Sequence, residues 1–193
     1  MSDFSLFLGK FLRHGTKIAS LAPSSRWLSR ATIGNVDWGR AGVVVELGAG
    51  TGPITRAIAE RARPDCKVVV LERDHDFAGL LRDRFAPLAH FDVIEGDARD
   101  LAAILADRGI EHVDHVISGL PVPSFPKGLQ LDLFRVVRKV LGPAGGTYNQ
   151  ITEIPWVYQG LYRKFFDEVR FVFEPRNFPP AGAYYCRGAK DVA

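Results

Sequence analysis

Hydrophobic and polar positions change their period along this chain. Over residues 4–22, FSLFLGKFLRHGTKIASLA, apolar or small residues fall at Phe4, Phe7, Leu8, Phe11, Gly15, Ile18, Ala19 and Ala22, the spacing of one helical face. Lys10, Arg13, His14 and Lys17 take the opposite face. This predicts an amphipathic helix ended by Pro23, then a second short helix around 26–31 capped by Ser24 or Ser25. From residue 43 short β-branched runs alternate with helical stretches. Strands are expected at 43–47, 67–71, 91–95, 112–118 and 147–152, and helices at 53–62, 75–85, 99–108 and 127–141. A further helix over 155–166 and strand runs at 168–173 and 183–187 follow, the last two joined by the Pro-rich EPRNFPPAG in an antiparallel hairpin. Strands alternating with helices predict a doubly wound α/β domain with a mostly parallel sheet. It spans 35–193 behind an N-terminal helical unit, 1–34.

Composition excludes several classes. The 193 residues are 47% hydrophobic and 24% charged, with 19 Gly and 12 Pro, the balance of an ordinary globular protein rather than a disordered or collagenous one. Two cysteines, Cys66 and Cys186, make no disulfide framework and suit a reducing compartment. No apolar run approaches the ~18 residues of a spanning helix, and Lys10 and Arg13 interrupt any secretory signal. The net charge of +3 is concentrated at the N-terminus, where Lys10, Arg13, Lys17, Arg26 and Arg30 face Asp3 alone. A nucleic-acid enzyme spreads a positive footprint around its active face; this nearly neutral body does not. The cationic, Phe-rich helix fits either docking on the domain or an anionic membrane surface.

Ligands of doubly wound folds bind beyond the carboxyl ends of the strands. The first strand runs into Glu46-Leu47-Gly48-Ala49-Gly50-Thr51-Gly52-Pro53, a loop that lets a ligand approach backbone N–H groups at a helix start. Pro53 stands where the dinucleotide pattern G-x-G-x-x-G wants its last glycine, which counts against NAD and FAD. The second strand ends at Glu72, suited to a ribose; the third at Gly96-Asp97-Ala98, whose carboxylate suits an adenine amine; the fourth at Ser118-Gly119-Leu120-Pro121.

With those loops the chain resembles the class I S-adenosylmethionine-dependent methyltransferases over about residues 43–188. The resemblance implies a Rossmann-like seven-stranded sheet whose last strand is antiparallel. It implies that Gly48, Gly50, Thr51 and Gly52, with Glu46 behind them, hold the methionine part of the cofactor. Glu72 and Arg73 would hold the ribose, Asp97 and Ala98 frame the adenine, and Ser118, Gly119 and Leu120 lie beside the methyl. A narrower resemblance, carried by APSSRWLSRA, VELGAGTGPIT, SGLPVPSFP, YNQIT and NFPPAGAYY, is to the bacterial phospholipid N-methyltransferases. It implies a cytoplasmic enzyme, peripheral on the inner face of the cytoplasmic membrane, that methylates phosphatidylethanolamine and its mono- and dimethyl forms toward phosphatidylcholine. It also implies membrane contact through Phe4, Phe7, Lys10, Phe11, Arg13 and Lys17.

The rival expectations are an RNA adenine N6-methyltransferase and a small-molecule methyltransferase. The RNA enzymes' NLPY loop bonds the exocyclic amine with Asn or Asp and stacks a ring on the base; here those positions are Ser118 and Val122. No nucleic-acid partner is therefore expected. Methyl transfer to an amine needs aligned reactants and loss of an ammonium proton. Tyr148, Asp97, Glu153 and Tyr185 are the candidate acceptors, with Tyr148 the expected catalytic one; His115, inside the fourth strand, reads as a sheet residue. A lipid phosphate needs a cation, and Arg176, Asn177, Tyr185 and Arg187 form the expected substrate set. The acceptor is left open among phosphatidylethanolamine, a methylated intermediate and an ornithine lipid. No Cys/His cluster has metal-ligand spacing, so no metal is expected.

Overall fold

Each strand expected between residues 43 and 152 forms. The computed structural model describes residues 24–141, 145–154 and 156–191; the expected helix over 4–22 and its six membrane-contact residues lie outside them. The strands are β1 (Val43–Leu47), β2 (Lys67–Glu72), β3 (Phe91–Glu95), β4 (His115–Ser118), β5 (Thr147–Thr152), β6 (Phe166–Glu174) and β7 (Ala181–Ala189). The helices are α1 (Arg26–Thr32), α2 (Pro53–Ala59), α3 (His75–Phe85), α4 (Leu101–Ala106), α5 (Lys127–Leu141) and α6 (Gln159–Tyr162). One seven-stranded sheet has the order β3-β2-β1-β4-β5-β7-β6. β1 to β5 are parallel, and β7 runs antiparallel between β5 and β6. This is the Rossmann-like architecture that the resemblance implies.

Side chains alternate between the two faces of a strand, and the core divides accordingly. Val44, Val68 and Val70 pack with Ile54, Ile58, Leu81 and Phe85 on one side. Val45, Leu47, Val69 and Leu71 pack with Leu101, Leu105, Leu133 and Phe134 on the other. Phe134 stacks on Phe165 at 4.1 Å between centroids and meets Tyr148 edge-on at 5.4 Å, geometry that adds to area burial.

Two expectations need correction. The fourth strand begins at His115 rather than residue 112, because Val113 N–H turns away from the sheet to the Val140 carbonyl at the end of α5; the Asp114 carboxylate accepts from Gly42 and Val43 N–H beside it. The helix expected over 155–166 shrinks to one turn, Gln159–Tyr162. Trp156 takes φ 63°, a left-handed backbone that no α-helix continues, and Phe166 already starts β6.

Ser25 caps α1, its hydroxyl accepting from Leu28 N–H at 3.2 Å. The helix is fastened to the sheet: Asn149 Nδ2 donates to the Thr32 carbonyl at 2.8 Å, and the Tyr185 hydroxyl donates to the Ala31 carbonyl. Among the described residues no helix is long and apolar enough to cross a membrane. Cys66 and Cys186 are both buried free thiols.

Candidate active site

The parallel ladder continues past the strand ends into the loops. Gly48 N–H donates to the Leu71 carbonyl, Gly119 N–H to Leu47, and Gly96 N–H to Glu72, at 2.8, 2.8 and 2.9 Å. Gly48 and Gly50 have φ of 71° and 55°, which only glycine adopts freely. A Cβ on Gly119 would lie 2.5 Å from the Gly48 carbonyl oxygen, so the β1 and β4 loops meet backbone to backbone. Against this rim lies a cavity of about 410 Å³. It is lined by Gly48, Gly50, Leu71, Glu72, Arg73, Phe77, Gly96, Asp97, Ala98, Gly119 and Leu120 from the first four strand ends and the helices after them, and by Ser24, Pro121, Pro123, Ser124, Phe125, Ile151, Thr152, Glu153, Ile154 and Tyr158.

Three carboxylates face the cavity in different settings. Glu72 Oε2 accepts from Gly50 N–H at 2.7 Å, and Oε1 from Arg73 and Asp74 N–H at 2.8 and 2.9 Å. It ties the tip of the β1 loop to the β2 loop. Asp97 is partly desolvated, which raises its pKa, but three hydrogen bonds from Arg99, one of them from its backbone N–H, and the charge of its guanidinium outweigh this and hold it below the usual carboxylate range. Glu153 also lines the cavity, and burial pushes its carboxyl upward.

Behind the loop, Glu46 is fully buried and neither of its oxygens has a partner at hydrogen-bonding geometry. Burial, with Thr55 close enough to ease the charge and Glu72 repelling it, pushes its pKa up to about 8. The folded chain thus holds a proton that the unfolded chain releases near 4.5. This contribution to stability is complete below the unfolded value and is lost as pH rises through 8. Glu46→Gln should therefore match wild type in thermal unfolding at pH 4 and exceed it at pH 8, by on the order of 2–4 kcal/mol. A constant difference across pH would show that Glu46 is ionised throughout.

The cavity brings together Gly48, Gly50, Glu72, Arg73, Asp97, Ala98, Gly119 and Leu120 of the expected cofactor set. Glu46, Thr51, Gly52 and Ser118 fall outside its lining. Gly52 caps α2 against Leu81. Ser118 is buried and accepts from Leu120 N–H at 3.3 Å. The exposed Thr51 accepts from Arg84 through its carbonyl.

The expected catalytic and substrate residues fare worse. Tyr148 is fully buried among Phe134, Tyr162 and Phe166, and its hydroxyl donates to Gln150 Oε1 at 2.5 Å. Burial drives its pKa upward, so it is no base at the cavity. Its role is support: Gln150 Nε2 in turn donates to the Leu120 carbonyl at 2.8 Å. Arg176 is held by two 2.7 Å bonds to the buried Glu174 and lies over the Trp27 ring at 4.1 Å. Asn177 is buried, accepting from Ser25 N–H and donating to the Pro179 carbonyl. Tyr185 is committed to α1. Arg187 pairs in register with Glu168 at the start of β6, the end of the sheet opposite the rim. His115 likewise sits in the sheet, 2.7 Å from Thr147 Oγ1, with burial lowering its pKa.

Phe77, Tyr158 and the segment 151–154 complete the lining. The Asp74 cap of α3 places position 77 in the first turn of a helix that follows the rim; nothing comparable marks Tyr158. Among the described residues no group of three His, Cys, Asp or Glu could hold a metal.

S-adenosylmethionine fits this lining. Carboxylates at Glu72 and Asp97 beside apolar Leu71, Phe77 and Ala98 suit a ribose and a purine, and open space where a Gly50 Cβ would stand leaves bare backbone for a ligand. Acidic walls suit a sulfonium cation. A methyltransferase-domain family model matches residues 44–145. The chain is 72% identical, over 99% of both chains, to an ornithine lipid N-methyltransferase of Singulisphaera acidiphila. It is 35% identical to a probable ribosomal RNA small subunit methyltransferase A of Methanosarcina mazei, over 56% of this chain and 41% of that one. The O-methyltransferase TomG of Streptomyces achromogenes, solved with S-adenosylmethionine, superposes with a TM-score of 0.64 at 16% identity, covering 99% of this chain and 92% of that one. A family match over more than half of the chain, on the segment that carries the strand-end loops of the cavity, makes this protein a member of the S-adenosylmethionine-dependent methyltransferases.

Proposed function

We propose that the protein N-methylates the free amine of an aminolipid, and that the lipid is an ornithine lipid rather than phosphatidylethanolamine. The observation that carries this is the 72% identity, end to end, with an enzyme of that name. The cavity supports it. The cations expected to meet a lipid phosphate are occupied or distant: Arg176 by Glu174 and Trp27, Arg187 at the far end of the sheet. An ornithine lipid headgroup offers an amine and a carboxylate and has no phosphate. Val122, the position where RNA enzymes place a stacking ring, is fully buried, which argues against a base. The reaction is assigned to the inner surface of an anionic membrane, with residues 4–22 as an attachment.

When bound, S-adenosylmethionine supplies an electrophilic methyl group. The chain's own part is to exclude water with Pro121, Pro123, Phe125, Ile151 and Tyr158, to orient the amine, and to remove its proton. Of the four candidate proton acceptors, Asp97 and Glu153 line the cavity, and of these two only Glu153 has a carboxyl whose pKa burial raises, the direction that strengthens a base. Glu153→Gln should lower kcat/KM for the lipid by roughly 100-fold and leave cofactor affinity unchanged. It should also remove the acid limb of the pH–rate profile; a retained limb would assign that proton elsewhere.

Purified protein with methyl-labelled S-adenosylmethionine, offered ornithine lipid, phosphatidylethanolamine and an unmethylated ribosomal RNA fragment in parallel, tests the reading. Label is expected in the ornithine lipid. Label confined to RNA, or to phosphatidylethanolamine, would overturn the substrate assignment.

A further inference from the structure

Most large apolar side chains of this domain are buried, yet several at one place are not. Beyond β5, Ile154, Trp156 and Val157 are 49%, 60% and 65% exposed; Phe173 at the end of β6 and Phe178 in the following turn are 42% and 86% exposed. Scattered exposed apolar residues are normal, whereas a contiguous group marks an interaction surface. Trp156 contacts Phe171 and Phe173 with centroids 5.5 and 5.2 Å apart. The strand register puts the group on one rim: Thr152 of β5 and Phe173 of β6 both lie opposite Gly182 of β7, and both strands run toward the cofactor end of the sheet.

The exposure is built, not slack. Tyr158 N–H donates to the Tyr184 hydroxyl at 3.1 Å, and Ile154 N–H to Thr152 Oγ1 at 3.1 Å. Trp156 is held at φ 63°, a costly conformation for a bulky side chain, with its indole turned largely to solvent. Ile154 belongs to both the patch and the cavity lining, so the mouth opens onto the apolar surface. Residues 154–158 and 175–181 contain no Asp or Glu. The flanking acids are Glu153, before Ile154, and the buried Glu174, which pairs with Arg176; the cations beside the group are Arg26 and Arg176, both exposed and over the Trp27 indole at 4.6 and 4.1 Å.

We propose that this rim, formed by Ile154, Trp156, Val157 and Phe173 with Phe178 on the adjacent turn, seats in the interfacial layer of an anionic phospholipid bilayer and presents the cavity mouth to the headgroups. The inference builds on the aminolipid reading. Tryptophan and phenylalanine beside cations suit the boundary between headgroups and acyl chains, and a lipid whose amine enters the cavity can keep its acyl chains in the bilayer only if the mouth faces it. A second copy of the chain seated here would cover that mouth.

The test uses the full chain with Trp156→Asn, Val157→Ser and Phe178→Ser combined. Asparagine tolerates the left-handed backbone at 156, and none of the three residues lines the cavity. Sedimentation with phosphatidylcholine vesicles, with and without phosphatidylglycerol, should show partition falling roughly tenfold or more while S-adenosylmethionine affinity stays at the wild-type value. Turnover of ornithine lipid should fall on vesicles and persist in detergent micelles. Unchanged partition, or a wild-type dimer in sedimentation velocity that the variant loses without a change in partition, would overturn the proposal. Reduced partition in a protein that methylates no lipid in either form would support the surface and overturn the aminolipid reading.

Discussion

Replacing Glu72 by Ala is expected to weaken S-adenosylmethionine binding by roughly 100-fold, about 3 kcal/mol. Two losses combine. The carboxylate at the cavity wall is the group suited to a ribose, and charge-assisted bonds to it contribute about 1.5–3 kcal/mol each. The same carboxylate also gathers the N–H groups of Gly50, Arg73 and Asp74, so the β1 loop loses its tie to β2. Glu72→Gln should be nearly as damaging. Its amide nitrogen is a donor and would confront a backbone N–H where an acceptor is required. Calorimetric titration with S-adenosylmethionine measures both variants; wild-type affinity in either would remove Glu72 from the binding site.

Gly119→Ala is expected to disrupt cofactor binding by a different route, without touching a charge. Its Cβ would meet the Gly48 carbonyl oxygen at 2.5 Å, and a backbone atom cannot swing aside as a side-chain tip can. Overpacking of this kind costs about 1–3 kcal/mol, roughly 3–10 °C in Tm for a domain of this length. The relaxation that relieves it moves the β1 and β4 loops apart, and both line the cavity. Thermal unfolding with and without S-adenosylmethionine should show a lowered Tm and a loss of most ligand-induced stabilisation. A variant that unfolds at the wild-type temperature would mean the loops are not in contact. Gly79→Ala, where a Cβ meets nothing within 4 Å, is the control on a neighbouring helix.

How far the sequence anticipates the molecule depends on how local each signal is. Strand β1 and its loop are legible because a β-branched run, a glycine spacing and Pro53 at a helix start sit within eleven residues. Glu72 and Asp97 follow from the rule that ligands lie at strand ends. Tyr148 misleads because proximity in sequence to the end of β5 is not proximity to the rim. It lies four residues before Thr152, on the face packed under α5. Arg176 misleads for a different reason: besides its local pairing with Glu174, it stacks on Trp27, a residue nearly 150 positions away, and no local pattern encodes that contact. Trp156 reads as part of a helix until its left-handed backbone is seen. The lining contributed by Ser24, residues 121–125 and residues 151–158 is the least legible, because beyond the end of β5 it is assembled from turns, a helix start and irregular chain rather than from a repeating period.

Tandem mass spectrometry of the lipid recovered after incubation with S-adenosylmethionine distinguishes methylation of the ornithine lipid amine from the other acceptors. The expected product is an ornithine lipid heavier by whole methyl groups, with the added mass retained in the fragment that carries the side-chain nitrogen and absent from the acyl fragments. Unmodified ornithine lipid beside methylated phosphatidylethanolamine, or beside methylated RNA, would contradict the ornithine lipid reading.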